Sequence, residues 1–168
     1  SVQDAHDLLI SSVRSNNPVI FIDDRWLYNL ESNFKKRGKI KNIFDYRPKK
    51  ILNGKDITIV GCGFGTKVGY DVSKYLKSYK ISSDLYDLRV LNPLRISVLK
   101  KSVKKTKRLV VIDPAWRNCS ISSEVVAYLN DEGLSFNSLR INLNNSPAPT
   151  AKNLEKKYYF SKETVSQR

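Results

Sequence analysis

An apolar strand pattern, Ile57-Thr58-Ile59-Val60, runs into the turn Gly61-Cys62-Gly63-Phe64-Gly65-Thr66 and then into a helical pattern. A turn of this kind aims backbone N–H groups at whatever lies above the sheet, which is how helix N-termini hold phosphate. Asp87 follows Gly65 at roughly the 20-residue spacing of a ribose-binding acid in dinucleotide sites. The fingerprint is incomplete, because G-x-G-x-x-G requires a glycine where Thr66 stands. A Walker loop is excluded, since no Gly-Lys-Ser/Thr follows. Two readings of the turn result: a free-standing dinucleotide-binding, Rossmann-like module using Gly61, Gly63, Gly65 and Asp87, or a structural strand-to-helix turn at Gly61, Gly63 and Gly65.

The other reactive side chains form no catalytic set. His6 is the only histidine, lies beside Asp4 and Asp7 in a helical pattern, and has no G-x-S-x-G elbow to serve. It reads as a helix-surface residue. Cys62 and Cys119 each precede a helix, where a thiolate gains from the dipole, but neither has a base nearby in sequence. They are far apart and in no C-x-x-C pair, so neither a disulfide framework nor a zinc site is indicated. The acidic residues show no metal-ligand spacing. The expectation is a chain with no catalytic residues, no metal ligands and no bound cofactor of its own.

The elements that position these residues follow from hydrophobic period. Gln3 to Ser15 reads as a helix with Ala5, Leu8, Leu9 and Val13 on one face, ended by Asn16-Asn17-Pro18. Val19 to Ile22 reads as a short buried strand that needs a larger sheet. From Asp23 to Asp56 no period holds, and an inter-domain connection packed by Trp26, Leu27, Tyr28, Ile43, Phe44 and Tyr46 is expected. The helix after the glycine turn carries Val68, Val72, Tyr75, Leu76 and Tyr79 on one stripe. Pro93 to Val103 reads as the next helix, Leu109 to Ile112 as a strand, and Asp113 to Cys119 as a loop. A helix burying Ile121, Val125, Tyr128 and Leu129 then ends at Gly133, and Phe136 to Leu143 is the last strand. Strands alternating with helices predict an α/β fold, a three-layer, mostly parallel sheet flanked by helices.

At 168 residues and 40% apolar content the chain can bury a proper core. No apolar run reaches the roughly 20 residues of a membrane span, and no signal-peptide pattern opens the chain. A cytoplasmic location with no membrane partner is expected. Methionine is absent, which suggests an excised piece or a split gene product. The 30 Lys+Arg against 16 Asp+Glu leave a net charge of +14. The cations gather in Lys35-Lys36-Arg37 with Lys39 and Lys41, in Arg47 with Lys49 and Lys50, and between Lys100 and Arg108. Aromatics that would stack bases are missing from these runs, so a solvated face or a protein partner is expected rather than nucleic acid.

Leu8-Leu9-Ile10 through Asn17-Pro18-Val19-Ile20-Phe21-Ile22, followed by Gly54-Lys55-Asp56-Ile57-Thr58-Ile59-Val60-Gly61 with Gly63 and Gly65-Thr66, resembles the transketolase superfamily. The closer likeness is to the beta subunit of thiamine diphosphate-dependent 2-oxo acid dehydrogenases of the pyruvate dehydrogenase type, in its C-terminal portion. Asp87-Leu88-Arg89 with Pro93-Leu94, Ser102-Val103 with Lys105-Thr106 and Arg108-Leu109-Val110-Val111, Ser123-Glu124-Val125, and the tail Pro147-Ala148-Pro149-Thr150, Leu154-Glu155 and Tyr158-Tyr159 extend the likeness in order. It implies a remnant of the pyrimidine-binding domain (a helix and a strand) over 1–23, a linker over 24–47 and a transketolase C-terminal domain over 48–168.

The resemblance also implies that thiamine diphosphate and magnesium belong to the intact enzyme and are held upstream or by a partner chain. The expected partners are an alpha subunit or N-terminal thiamine-binding half, a second copy in a homodimer, and a lipoyl acyltransferase. The isolated chain is expected to be inactive and to serve assembly and docking. Contact residues are expected at Asp113, Trp116, Arg117 and Arg89. Two departures from the family pattern fall there: Cys119-Ser120 replaces a Gly-Gly pair, and Asp113-Pro114-Ala115-Trp116 stands at the usual acidic strand end.

Overall fold

In the computed structural model of the protein, residues 1–34 and 40–167 are described. The basic run Lys35-Lys36-Arg37 with Lys39 lies outside them. The chain divides into two compact units, Ser1–Arg47 and Pro48–Arg168.

In the first unit, α1 (Val2–Val13) begins at Ser1, whose hydroxyl accepts from the Asp4 amide at 3.2 Å, a side-chain N-cap. Ser11, the one buried residue of α1, donates to the Lys41 carbonyl at 2.7 Å. His6 accompanies Asp7 at 2.8 Å and meets the Phe34 ring edge-on. The expected apolar face is not buried: Leu9 is 48% and Val13 79% exposed. Val19–Ile22 is likewise not a strand, and Ile20 and Ile22 stand exposed. A strand exists only where a neighbour completes its ladder, and among the described residues none pairs with this segment. Two single 3-10 turns, Arg25–Leu27 and Ile43–Asp45, are closed by Asp24 and Asn42 side chains.

The second unit holds a five-stranded sheet: β1 (Lys49–Leu52), β2 (Ile57–Gly61), β3 (Ser83–Asp87), β4 (Arg108–Trp116) and β5 (Asn137–Leu143). Their order is β1-β3-β2-β4-β5, with β1 antiparallel and the others parallel. Five helices accompany it: α2 (Phe64–Ser78), α3 (Leu99–Thr106), α4 (Ile121–Asp131), α5 (Lys152–Tyr158) and α6 (Lys162–Ser166). Strand alternation divides the core in two. Val60, Tyr86, Leu109 and Val111 face α3 and α4, while Ile59, Leu85, Val110 and Ile112 face α2 and Val165 of α6. The expected three-layer, mostly parallel α/β architecture is the one observed.

Several boundaries differ from expectation. β1 falls where no strand was expected, because an edge strand of four residues with two lysines carries little apolar signal. The helix expected from Pro93 begins at Leu99. Ile96 is 1% exposed and carries the preceding loop into the core, while the β-branched residues Ile96 and Val98 favour helix weakly. The loop expected over Asp113–Cys119 is strand as far as Trp116, which pairs with Leu143 beyond a register shift. Tyr75 and Tyr79 leave the expected buried stripe of α2; they bond each other at 2.9 Å on its exposed face. Gly69, by contrast, lies on the buried side against Leu85 and Ile59.

One buried polar chain ties the amino ends of the strands to α3. Asp84, fully buried in β3, accepts from Lys50 (2.9 Å), the Gly54 amide (2.9 Å), Ser102 (2.6 Å) and Lys105 (2.7 Å). Thr58 joins Ser102 and Thr106 at 2.8 Å each.

Candidate functional site

The carboxyl ends of parallel strands are where open α/β sheets bind their ligands, at the point where successive connections leave in opposite directions. Here that point lies between β2, whose connection leads to β3, and β4, whose connection leads to β5. The start of α2 packs closely beside it. A Cβ on Gly65 would overlap the Ile112 carbonyl oxygen and lie 3.3 Å from Pro114 Cδ. A Cβ on Gly61 would lie 2.6 Å from the Thr66 amide nitrogen. Two glycines of the turn therefore let α2 start directly against β2 and β4. Gly63 is the N-cap, with φ of 50°.

Asp87 ends β3, and its Oδ1 accepts from the Thr66 hydroxyl at 3.0 Å. The residue that breaks the dinucleotide fingerprint thus bonds the acid that had suggested it. Arg89 follows with φ of 63° and is half-buried.

The hollow at this end lies farther along the sheet, over β4 and β5. It is an open depression of about 500 Å³, with Trp116, Cys119, Leu143, Tyr158 and Tyr159 among its lining residues. Trp116 is half-exposed, and its indole Nε1 donates to the Tyr158 hydroxyl at 3.0 Å. That hydroxyl donates in turn to the Ser146 carbonyl at 2.9 Å, so α5 is fastened against the end of β4. The two tyrosine rings meet edge to face at 5.1 Å. Cys119 is exposed with φ of 53°, and neither cysteine forms a disulfide.

Asp113 lies beneath this surface, 3% exposed. Its Oδ2 accepts from the Ser122 amide at 3.1 Å, and Asn142 Nδ2 approaches it at 3.4 Å. The carboxylate therefore sits at the N-terminus of α4, where the dipole favours negative charge. Burial pushes its pKa above the usual aspartate value, and hydrogen bonds from Ser122, Asn142, Ala115 and Ser120 oppose that rise. Ser120 and Ser122 bond each other at 2.6 Å, and Ser122 reaches Asn142 at 3.0 Å.

Of the residues expected at a contact site, Asp113, Trp116 and the exposed Arg117 come together at the end of β4. Arg89 does not, since it follows β3 and β2 intervenes. Asn142 was not singled out from sequence, and Tyr158 and Tyr159 entered there only through the family likeness of the tail. The arrangement is a hollow lined by Trp116, Tyr158 and Tyr159 together with Pro114, Ala115 and Leu143, and its lining holds no nucleophile–base pair. Among the described residues no group of three or more His, Cys, Asp or Glu could hold a metal ion, and no helix is long and apolar enough to cross a membrane.

Residues 47–165 match the family described as transketolase, C-terminal domain. The chain is 32% identical over 159 residues to the pyruvate dehydrogenase E1 component subunit beta of Rickettsia bellii, covering 93% of this chain and 48% of that protein. It is 31% identical to the mitochondrial counterpart of Ascaris suum, covering 91% of this chain and 44% of the other. The beta subunit of acetoin:2,6-dichlorophenolindophenol oxidoreductase from Cupriavidus necator is also 31% identical, covering 97% and 48%. The chain thus spans about half the length of these relatives. Among solved structures, a split gene transketolase described as an inactive beta4 tetramer aligns with a TM-score of 0.63 at 23% identity, covering 72% of this chain and 39% of that one. This last likeness concerns the fold. The comparisons give the dinucleotide-binding alternative no support.

Proposed function

The chain belongs to the transketolase C-terminal domain family, and from that premise we propose that it is the C-terminal portion of the beta subunit of a thiamine diphosphate-dependent 2-oxo acid dehydrogenase. The intact enzyme would decarboxylate a 2-oxo acid in the cytoplasm and pass the acyl unit onward. The observation that carries this reading is the alignment of 93% of the chain with a pyruvate dehydrogenase beta subunit.

Within that enzyme the chain's own work is assembly. Thiamine diphosphate and magnesium are assigned to upstream sequence or a partner chain; in this chain the glycine turn packs α2 on β2 and β4, and Asp87 is bonded by Thr66, which gives the turn a structural role. The cofactor supplies the carbanion chemistry when bound elsewhere in the enzyme, and no step is routed through this chain. The hollow walled by Trp116, Tyr158 and Tyr159 is the docking surface. Its amphipathic rings present broad apolar contact at small entropic cost, as at many protein interfaces. Asp113 and Arg117 adjoin its lining residues Pro114, Trp116 and Asn118 along the chain. Its occupants are an alpha subunit, a second copy of the beta chain, or the lipoyl acyltransferase.

The test is calorimetric titration of this chain with thiamine diphosphate and magnesium. No saturable heat is expected. Tight stoichiometric binding would place the cofactor site in this chain and overturn the assignment.

A further inference from the structure

At the opposite end of the sheet, away from the hollow, the amino ends of β2 and β4 meet the C-terminal end of α3. Lys55, Lys104, Lys107 and Arg108 are exposed there, and Lys101 is exposed in the first turn of α3. The surroundings supply few acids. Asp84 is buried and already takes both Lys50 and Lys105. Glu132 is held by Lys100 at 2.8 Å. Asp56 accepts from the Ser82 amide and hydroxyl, and Arg108 reaches only its backbone carbonyl, at 3.4 Å. Among the described residues Lys55, Lys101, Lys104 and Lys107 have no carboxylate within ion-pair distance.

Stability of α3 does not account for this charge. Lys104 and Lys105 in the last turn complement the helix dipole, but Lys101 lies in the first turn, where the dipole disfavours a cation. Lys101 is three residues from Lys104, so like charges adjoin on one helix face, which destabilises an isolated helix, while Lys105 is held by Asp84. An external anion relieves that repulsion.

We infer that this lysine face is a docking surface for an acidic protein segment, one presenting Asp or Glu a helical turn apart to meet Lys101, Lys104 and Lys107. Nucleic acid fits the face less well. Lysines dominate it and give point charges rather than the bidentate forks that recognise phosphate. On the α3 and α4 side of the sheet the aromatics at this end, Tyr128 and Phe136, are partly buried against the core, and the exposed Tyr75 and Tyr79 belong to α2 on the other side. The C-terminal ends of α2, α3 and α4 lie here, so helix carbonyls face outward instead of the amides that cradle phosphate. The inference stands apart from the cofactor assignment and from the hollow at the other end.

The experiment measures fluorescence anisotropy of a labelled poly-glutamate peptide of roughly 20 residues against the full chain, at salt of about 50 and about 200 mM, which brackets the range where screening grows. Saturable binding that weakens with salt is expected, together with a rise in the chain's melting temperature. The triple reversal Lys101→Glu/Lys104→Glu/Lys107→Glu should weaken binding by about tenfold or more, the neutral triple Lys→Gln at the same positions by less. The neutral variant decides the matter if the reversed one fails to fold by circular dichroism. A control reversal on α5, Lys152→Glu/Lys156→Glu/Lys157→Glu, changes net charge equally and should bind nearly as the parent does. The inference is overturned if the parent chain does not bind the peptide, if the control loses as much as the reversal at α3, or if duplex DNA displaces the peptide at lower concentration than the peptide's own affinity requires.

Discussion

Asp84 and Asp113 are both buried carboxylates in parallel strands, and their surroundings push them in opposite directions. Burial alone would raise the pKa of Asp84, but Lys105, Ser102, the Gly54 amide and Lys50 all donate to it and hold it far below the ordinary value of 3.8. Its stabilising contribution is therefore present above pH 3.8 and lost as pH falls through the lowered value. Asp84→Ala should cost about 3 kcal/mol in urea unfolding near neutral pH, because four donors lose a shared acceptor, and the deficit should narrow in acid. Asp113 behaves conversely: burial raises its pKa, so its contribution is fully present below 3.8 and declines as pH rises through the folded value. The stability advantage of the parent chain over Asp113→Asn should accordingly shrink as pH climbs from 4 toward neutrality, measured by the shift of the urea midpoint. An advantage that grew with pH would show that the hydrogen bonds at the start of α4 outweigh burial. In the sequence Asp113 stood out as a strand-end acid, whereas Asp84 passed unremarked, because its partners Lys50, Ser102 and Lys105 become neighbours only across β1, β3 and α3.

The start of α2 is the element on which the carboxyl end of the sheet depends. Gly65 faces the Ile112 carbonyl so closely that a methyl group must displace backbone, not a side chain. Gly65→Ala should destabilise the second unit by about 3 kcal/mol or more, as overpacking against a rigid neighbour does. The same substitution at Gly133, which has open space but φ of 73°, should cost only about 1 kcal/mol from the left-handed backbone. Equal losses at the two sites would refute the close-packing role. At the far edge of the hollow, Trp116→Phe keeps an aromatic wall but removes the donor to Tyr158. It should loosen α5, read as faster amide exchange across Lys152–Tyr158, while a merely decorative tryptophan would leave exchange unchanged. Element types were largely legible in sequence, since α2, α4, β2, β4 and β5 each carry a clear period. The ends were not: Pro93 to Val98 has helical spacing but is a loop pinned by Ile96, and the continuation of β4 to Trp116 follows from pairing with Leu143.

At the scale of the whole molecule, the second unit encloses two core clusters on the two faces of one sheet, and both are built from residues beyond Pro48. A polypeptide of residues 48–168 should therefore fold alone and melt within about 5 °C of the full chain, a span equivalent to roughly 1 kcal/mol for a domain of this size. Calorimetric scans of the two polypeptides check this, and a broad, non-cooperative transition in the shorter one would mean that its core is incomplete. The first unit has less to bury. Its exposed Ile20 and Ile22 are the side chains of a segment whose composition suits a strand and whose described surroundings offer no neighbouring strand.

The sequence by itself determined the α/β class, the parallel sheet and the family, because strand and helix periods and ordered short motifs are local properties of the chain. It also exposed the misfit in the dinucleotide fingerprint at Thr66. The tertiary structure decided what that misfit does: the Thr66 hydroxyl bonds Asp87 across 21 residues, and Gly61 and Gly65 let α2 start directly against β2 and β4. It likewise set Arg89 apart from Trp116 and collected the lysines of α3 with Lys55 at the opposite end. Such outcomes depend on strand order and on which side chains meet across the sheet, and no spacing along the chain encodes either one locally.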